Sequence, residues 1–319
     1  MSALRPRARR QALPLLVALL CACAGPAAAE SPGGSFRLWP ASARELAMAD
    51  AATLLAPGLE SLGSQPASLV GIDRWEAGLG LQRPQELTGL GLASLAFGAA
   101  TGRRLPGPGE RTPTSRQAVA LGFQQLGAEL ADGSGWGEWT AALGLAWSPQ
   151  RWLSVGARGD YSRGGSEDGR DEGSARALAL GLRAVALHPA LEFGWVASDV
   201  HQRFAWDAAP EQQRRRASSQ TFALAARLPG ALSAELQGRW RFRSLERAAL
   251  GLEWQPLGPT LALRGGLLVH RRVETSWSPA FGAGFARGAL RLDYGFRFER
   301  AEGPGSQHRL SLRWIGDGR

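Results

Sequence analysis

The stretch "ALRLDYGFRFERAEGPGSQHRLSLRW", Ala289 to Trp314, decides the fold. Leu290, Leu292, Tyr294, Phe296 and Phe298 occupy every second place, and Arg291, Asp293, Gly295, Arg297 and Glu299 occupy the others. After the turn-rich "AEGPG" the alternation resumes, with Leu310, Leu312 and Trp314 against Arg309, Ser311 and Arg313. Period-two alternation is the signature of a strand with one apolar face. That face must meet either a protein core or lipid.

Working outward, period two holds nearly everywhere after residue 70. It predicts strands at 73–82, 87–98, 116–126, 136–147, 151–162, 175–187, 190–199, 218–228, 231–243, 246–255, 260–271, 275–286, 288–299 and 307–315. The clearest is "ALSAELQGRWRFR", which sets Leu232, Leu236, Trp240 and Phe242 against Glu235, Gln237, Arg239 and Arg241. A soluble sandwich also alternates, but its strands run about five or six residues. The strands here are about twice that, close to the roughly 9–11 residues that cross a bilayer at a tilt. An arginine at mid-bilayer on a lipid-facing wall costs roughly 2–4 kcal/mol, so an apolar face nearly free of charge is informative. Trp147 and Trp152 flank "SPQR" and Trp254 precedes "PLGP", as in an interfacial aromatic girdle. From the fourth strand the connections alternate short ("SPQR", "HP", "PG", "PLGP", "RG") and longer, as periplasmic turns and outer loops do. The stretch 99–115 breaks that parity. The answer is lipid: an all-β, transmembrane antiparallel β-barrel of about fourteen strands, closed because open edges are intolerable in lipid.

The N-terminus reads differently. "RPRARR", the apolar "ALPLLVALLCAC" and "GPAAAE" form an export signal over residues 1–29, cleaved at Ala29. A second reading is a lipoprotein signal with Cys23 lipidated. Both cysteines, Cys21 and Cys23, fall in this segment, so a disulfide framework is excluded. Residues 30–70 form an N-terminal segment before the barrel at 71–319. In it, "SARELAMADAATLLAPGLESL" (42–62) has helical spacing, and Ser42 stands three before Glu45 as a capping box. Such a helix either plugs the lumen or closes its floor.

The chain has 319 residues and a formal charge of +9, and every one of its 37 basic residues is arginine. Four of those charges, Arg5, Arg7, Arg9 and Arg10, lie in the export signal, and the rest are spread thinly. This excludes the clustered basic face of a nucleic-acid binder. No later stretch is long and apolar enough for a membrane helix.

"RELAMADAAT" and "QPASL" resemble the N-terminal signature of the PorV/PorQ family, within the long-chain fatty-acid transporter (FadL-like) barrels. That signature has an Arg, a Met-Gly-Gly-Ala stretch and an Asn-Pro-Ala. Here Arg44 and Met48 keep their places, Ala49 and Asp50 replace the glycines, and Gln65, Pro66 and Ala67 stand for Asn-Pro-Ala. "LSVGARGDY" (153–161) is similar to the family's mid-barrel strand, and 290–314 to its terminal hairpin. The resemblance implies a fourteen-stranded barrel with a plug. For function it implies passive transport of a hydrophobic molecule or, alternatively, a docking or assembly role in protein secretion without transport.

No enzyme is expected, and no cofactor or metal. His188, His201, His270 and His308 lack ligand-spaced companions. "GAGFARG" (282–288) reads as strand glycine rather than a phosphate loop, and "SEDGRDE" (166–172) misses the EF-hand spacing. "QRRRA" (213–217) is a solvated charge run or a grip on lipopolysaccharide phosphates. The expected partners are outer-membrane lipid and lipopolysaccharide, with a hydrophobic ligand or an exported protein. The candidate lumen residues are Glu235, Arg239, Arg241, Arg291, Asp293, Arg297 and Glu299, where facing strands could pair opposite charges.

Overall fold

The computed structural model describes residues 42–84, 90–102, 115–129, 135–166, 172–185, 190–206, 218–271, 275–299 and 306–316. The export signal with Cys21 and Cys23, His188, residues 167–171 of the acidic loop and the run 213–217 lie outside these.

The strands are β1 (Trp75–Pro84), β2 (Gly91–Thr101), β3 (Arg116–Glu129), β4 (Gly135–Gln150), β5 (Leu153–Ser166), β6 (Gly173–Val185), β7 (Leu191–Trp206) and β8 (Ser219–Leu228). They continue with β9 (Leu232–Arg241), β10 (Ser244–Trp254), β11 (Pro256–Pro259), β12 (Leu261–Arg271), β13 (Thr275–Arg287), β14 (Leu290–Arg297) and β15 (Gln307–Ile315). All except the four-residue β11 form one closed barrel, each strand antiparallel to the one before it in the chain. β1 and β15 close it, in a register that runs from Glu76 opposite Ile315 to Pro84 opposite Gln307. That is the expected fourteen-stranded ring. "PLGP", expected as a plain turn, is β11, and the "RG" turn falls one residue later, at Gly288–Ala289. The parity exception at 99–115 stands: β2 ends at Thr101 and β3 begins at Arg116.

The alternation sorts side chains between lipid and lumen. Leu79, Leu81, Leu95, Phe97, Leu121, Leu145, Leu236 and Phe285 point outward and are exposed. In water, such a continuous apolar band would far exceed the few hundred Å² that soluble proteins tolerate. Trp147, Trp152, Trp254 and Trp314 mark one rim of the band, and Trp240 and Trp277 the other. Inward positions are small or polar, and what fills the barrel is the N-terminal segment.

That segment departs from the expected helix, which was to run from Ser42 to the "APG" at 56–58. Its α-helix, α1, is only Ala43–Ala47. The Ser42 hydroxyl accepts from the Glu45 N–H at 3.1 Å, the predicted cap. The helix stops because Ala49 and Asp50 both adopt positive φ, 54° and 72°, a conformation that ends α-helices. Two short 3-10 turns follow, Leu59–Leu62 and Pro66–Gly71. Gln65 caps the second through its side-chain oxygen, and Pro66 stands at its first position, where a missing N–H costs nothing.

The segment winds around the inner wall, and inward glycines make room for it. A Cβ on Gly156 would lie 2.5 Å from the Ala67 nitrogen, and one on Gly251 2.6 Å from the Ala51 oxygen. Gly98, Gly122, Gly144, Gly194 and Gly282 are similarly occupied by Ile72, Leu62, Leu54 and Ala47. Three pairs of inward glycines face each other across neighbouring strands: Gly156 opposite Gly181, Gly251 opposite Gly266, and Gly282 opposite Gly295. The plug's apolar residues fill what remains. Leu59, Leu62, Leu69 and Ile72 pack on Ala118, Ala120 and Ala146, and Met48, Leu54 and Leu55 on Ala223 and Ala225.

Candidate functional site: the plugged lumen

A continuous run of ion pairs ties the plug to the wall. Asp293 accepts from Arg264 at 2.5 Å, and Arg264 reaches Glu253 at 2.6 Å. Glu253 also accepts from Arg44 of the plug helix at 2.7 Å. Arg44 lies 3.8 Å from Glu60, which pairs with Arg313 at 3.1 Å, and Arg313 continues to Glu76 at 3.4 Å. Glu76 finally accepts the Leu59 N–H at 3.0 Å. Three strands, the plug and two closing strands thus share one buried chain of charges. Such pairs are costly to bury but costlier to break, since a lone buried charge remains.

A second anchor is Asp50. It accepts from Arg247 at 2.6 Å and Arg297 at 2.9 Å, and Arg297 also meets Glu299 at 2.6 Å. Burial would raise the Asp50 pKa, but the Arg297 and Arg247 guanidiniums outweigh it and hold the carboxyl below its ordinary value. Asp50 thus supplies one anion between two arginines.

Of the predicted lumen residues, Glu235 does not join a ladder with Arg239 or Arg241. Its carboxylate accepts the N–H groups of Leu54 and Leu55, at 2.9 and 3.0 Å, where the plug turns. Arg239 donates to Ser219, and both Arg239 and Arg241 approach Glu246, at 3.6 and 3.1 Å. Glu246 reaches them from a bulge in β10, where the pairing with β9 slips between Leu245 and Arg247. Bulges re-aim side chains in this way. Arg291 is half-buried opposite Arg313. In the plug, Gln65 donates to the Leu182 carbonyl at 3.1 Å, Met48 is fully buried, and Pro66 and Ala67 lie on Gly156. The chain itself supplies further anchors, Glu60, Glu76, Arg247, Glu253, Arg264 and Arg313. All the strand residues among these sit on polar faces that alternation marks, but only register reveals their partners.

A cavity of about 130 Å³ remains between the plug and β1–β5 with β15. Leu59, Leu62, Ala96 and Ala142 give it apolar walls, and Ser94, Gln124, Thr140, Arg309 and Ser311 polar ones. Arg158 lines it too and donates to the Leu62 carbonyl at 2.9 Å, holding the plug turn in place. Further round the wall β7 carries a bulge against β6. Leu178 pairs with His201 and Leu180 with Ala197, so one residue of β6 faces three of β7, and Asp199 has positive φ. Pairing of β7 with β8 ends at Ser198–Ser219, leaving β7 from Asp199 to Trp206 without a β8 partner among the described residues. Cavity and seam are separated by the plug, whose Leu54 and Gln65 fill the lumen at Gly194 and Gly181.

No family model matches the chain, and no curated protein does. Solved structures do. The toluene transporter TodX of Pseudomonas putida superposes with a TM-score of 0.56 at 13% identity, over 85% of this chain and 96% of that one. A Pseudomonas aeruginosa FadL homologue gives 0.53 at 12%, over 91% and 100%. The chain therefore has the closed, fourteen-stranded fold of the FadL-like outer-membrane barrels.

Proposed function

We propose that this protein sits in the bacterial outer membrane and passes a small hydrophobic molecule through its lumen without consuming energy. The observation that carries this is the cavity between the plug and the wall, whose apolar side is built by Leu59, Leu62, Ala96 and Ala142. Its volume approaches the roughly 150 Å³ of an engineered apolar cavity that takes one benzene ring. TodX and the FadL homologue are barrels of the same fold, and the name of the first is that of a hydrocarbon transporter. On this reading the protein is not an enzyme, and the PorV/PorQ resemblance of Arg44, Met48 and Gln65–Ala67 describes how the plug is seated.

The ion-pair chain through Arg44, Glu60 and Glu253 favours a second reading, in which the plug is permanent and the barrel is a docking component for exported proteins. Uptake by proteoliposomes separates the two. Toluene and a long-chain fatty acid are each offered to vesicles with and without the purified barrel. Faster uptake of either supports transport, and rates equal to empty vesicles for both leave the docking role.

A further inference from the structure

A ledge of aromatic rings crosses the outward face of β3–β6 near the rim opposite Trp147 and Trp152. Phe123 stacks on Trp139 with centroids 6.2 Å apart, and Trp139 meets Tyr161 at 5.4 Å. The ledge ends in cations. Arg176 lies over the Tyr161 ring, 5.7 Å from its centroid, and is exposed. Arg163 stands opposite Trp139. Arg163 pairs with Glu172, but both are exposed, and exposed pairs hold each other weakly.

The height of the ledge fixes its surroundings. From Leu153, beside the Trp152 girdle, to Arg163 is ten residues, about 33 Å along the strand. At the usual tilt this is about 25 Å of height, the thickness of a barrel's apolar band. Arg163 therefore reaches the far headgroup layer, and Arg176, two residues lower in register, lies over the Tyr161 ring within a side chain's length of it. An arginine fork matches phosphate oxygens in two-pronged geometry, and flat aromatic faces suit sugar rings and upper acyl chains.

We infer that the face built by Trp139, Tyr161, Arg163 and Arg176 binds a phosphorylated glycolipid of the outer leaflet, with the arginines on its phosphates and the rings beneath its sugar. The site lies on the lipid-facing side and is independent of the lumen.

The test uses the purified full barrel in detergent, with binding read by a spectroscopic titration and by the thermal shift. The probes are diphosphorylated lipid A, the same lipid without phosphates, and inorganic phosphate. Arg163→Gln with Arg176→Gln should weaken lipid A binding roughly tenfold or more, the loss of two charge-assisted contacts. Wild type should bind the dephosphorylated lipid about as weakly as the variant binds lipid A. Inorganic phosphate alone should give no shift, since the sugar and acyl contacts are absent. Trp139→Leu, which keeps the lipid-facing surface apolar, should weaken binding of both lipids. Equal affinity of wild type and the arginine variant for lipid A, with both showing the heat-modifiable band of a folded barrel, overturns the inference. So does a wild-type shift by inorganic phosphate as large as that by lipid A.

Discussion

Gly156 and Gly181 face each other across β5 and β6, and the Pro66–Ala67 backbone of the plug lies directly against both. The barrel wall and its contents are thus fitted at the level of single missing Cβ atoms. Gly156→Val should drive a side chain into plug backbone, which cannot yield as a flexible side chain would. Overpacking of this kind costs about 1–3 kcal/mol. Gly159, on the same strand but facing outward, has open space around its Cβ position. Gly159→Val should be neutral or mildly favourable, since valine suits strands. Urea midpoints of the two variants in detergent micelles check this directly.

Asp50 links stability to pH. Its folded pKa lies below the unfolded value of about 3.9. The contribution is therefore complete above that value and is lost as pH falls through it toward the folded pKa. Asp50→Asn should cost about 3–5 kcal/mol at pH 7, because Arg247 and Arg297 lose their shared carboxylate. The gap between wild type and variant should narrow as pH drops below about 4. Unfolding midpoints from pH 7 to pH 2 measure it, and a gap that widens in acid would contradict the assignment.

Arg44 and Glu253 should prove energetically coupled. Each of Arg44→Met and Glu253→Gln leaves buried charge without its partner, and each should be destabilising by several kcal/mol. The double variant removes both ends of one contact and should fall short of the sum by about 0.5–3 kcal/mol. A double-mutant cycle supplies the number.

Ala142 lines the cavity beside Leu62 and Thr140. Ala142→Phe should fill the space and cut uptake of toluene in proteoliposomes at least about tenfold, while the boiled and unboiled gel bands stay as in wild type. Ala141, its neighbour on the outward face, provides the control: Ala141→Phe should leave uptake unchanged.

Much of this architecture was legible in the sequence. The alternation of Leu232, Leu236 and Trp240 with Glu235, Gln237 and Arg239 defined β9 to within a residue or two, because a wall between lipid and lumen imposes two chemistries at period two. The N-terminal segment was legible only in part. Leu46, Thr53 and Leu54 carry helical spacing, but the lumen wall recruits them one by one, and the backbone at Ala49 and Asp50 turns to bring Asp50 between two arginines. Period alone has no access to that tertiary demand. The seat of the plug was written as glycine on polar strand faces, in Gly122, Gly144, Gly156 and Gly251, yet only the register aligns them beneath one segment. Glu246 and the β7 bulge were invisible for the same reason: a slip of register leaves little local mark.

The measurement that bears most directly on this account is heat-modifiability of the protein in isolated outer membranes, run on a denaturing gel with and without boiling. A closed barrel pinned by its plug should resist the detergent cold and migrate as a compact band, then shift on boiling. A protein found in the soluble periplasmic fraction, with one band whatever the treatment, would contradict the lipid-facing barrel and the transport reading built on it.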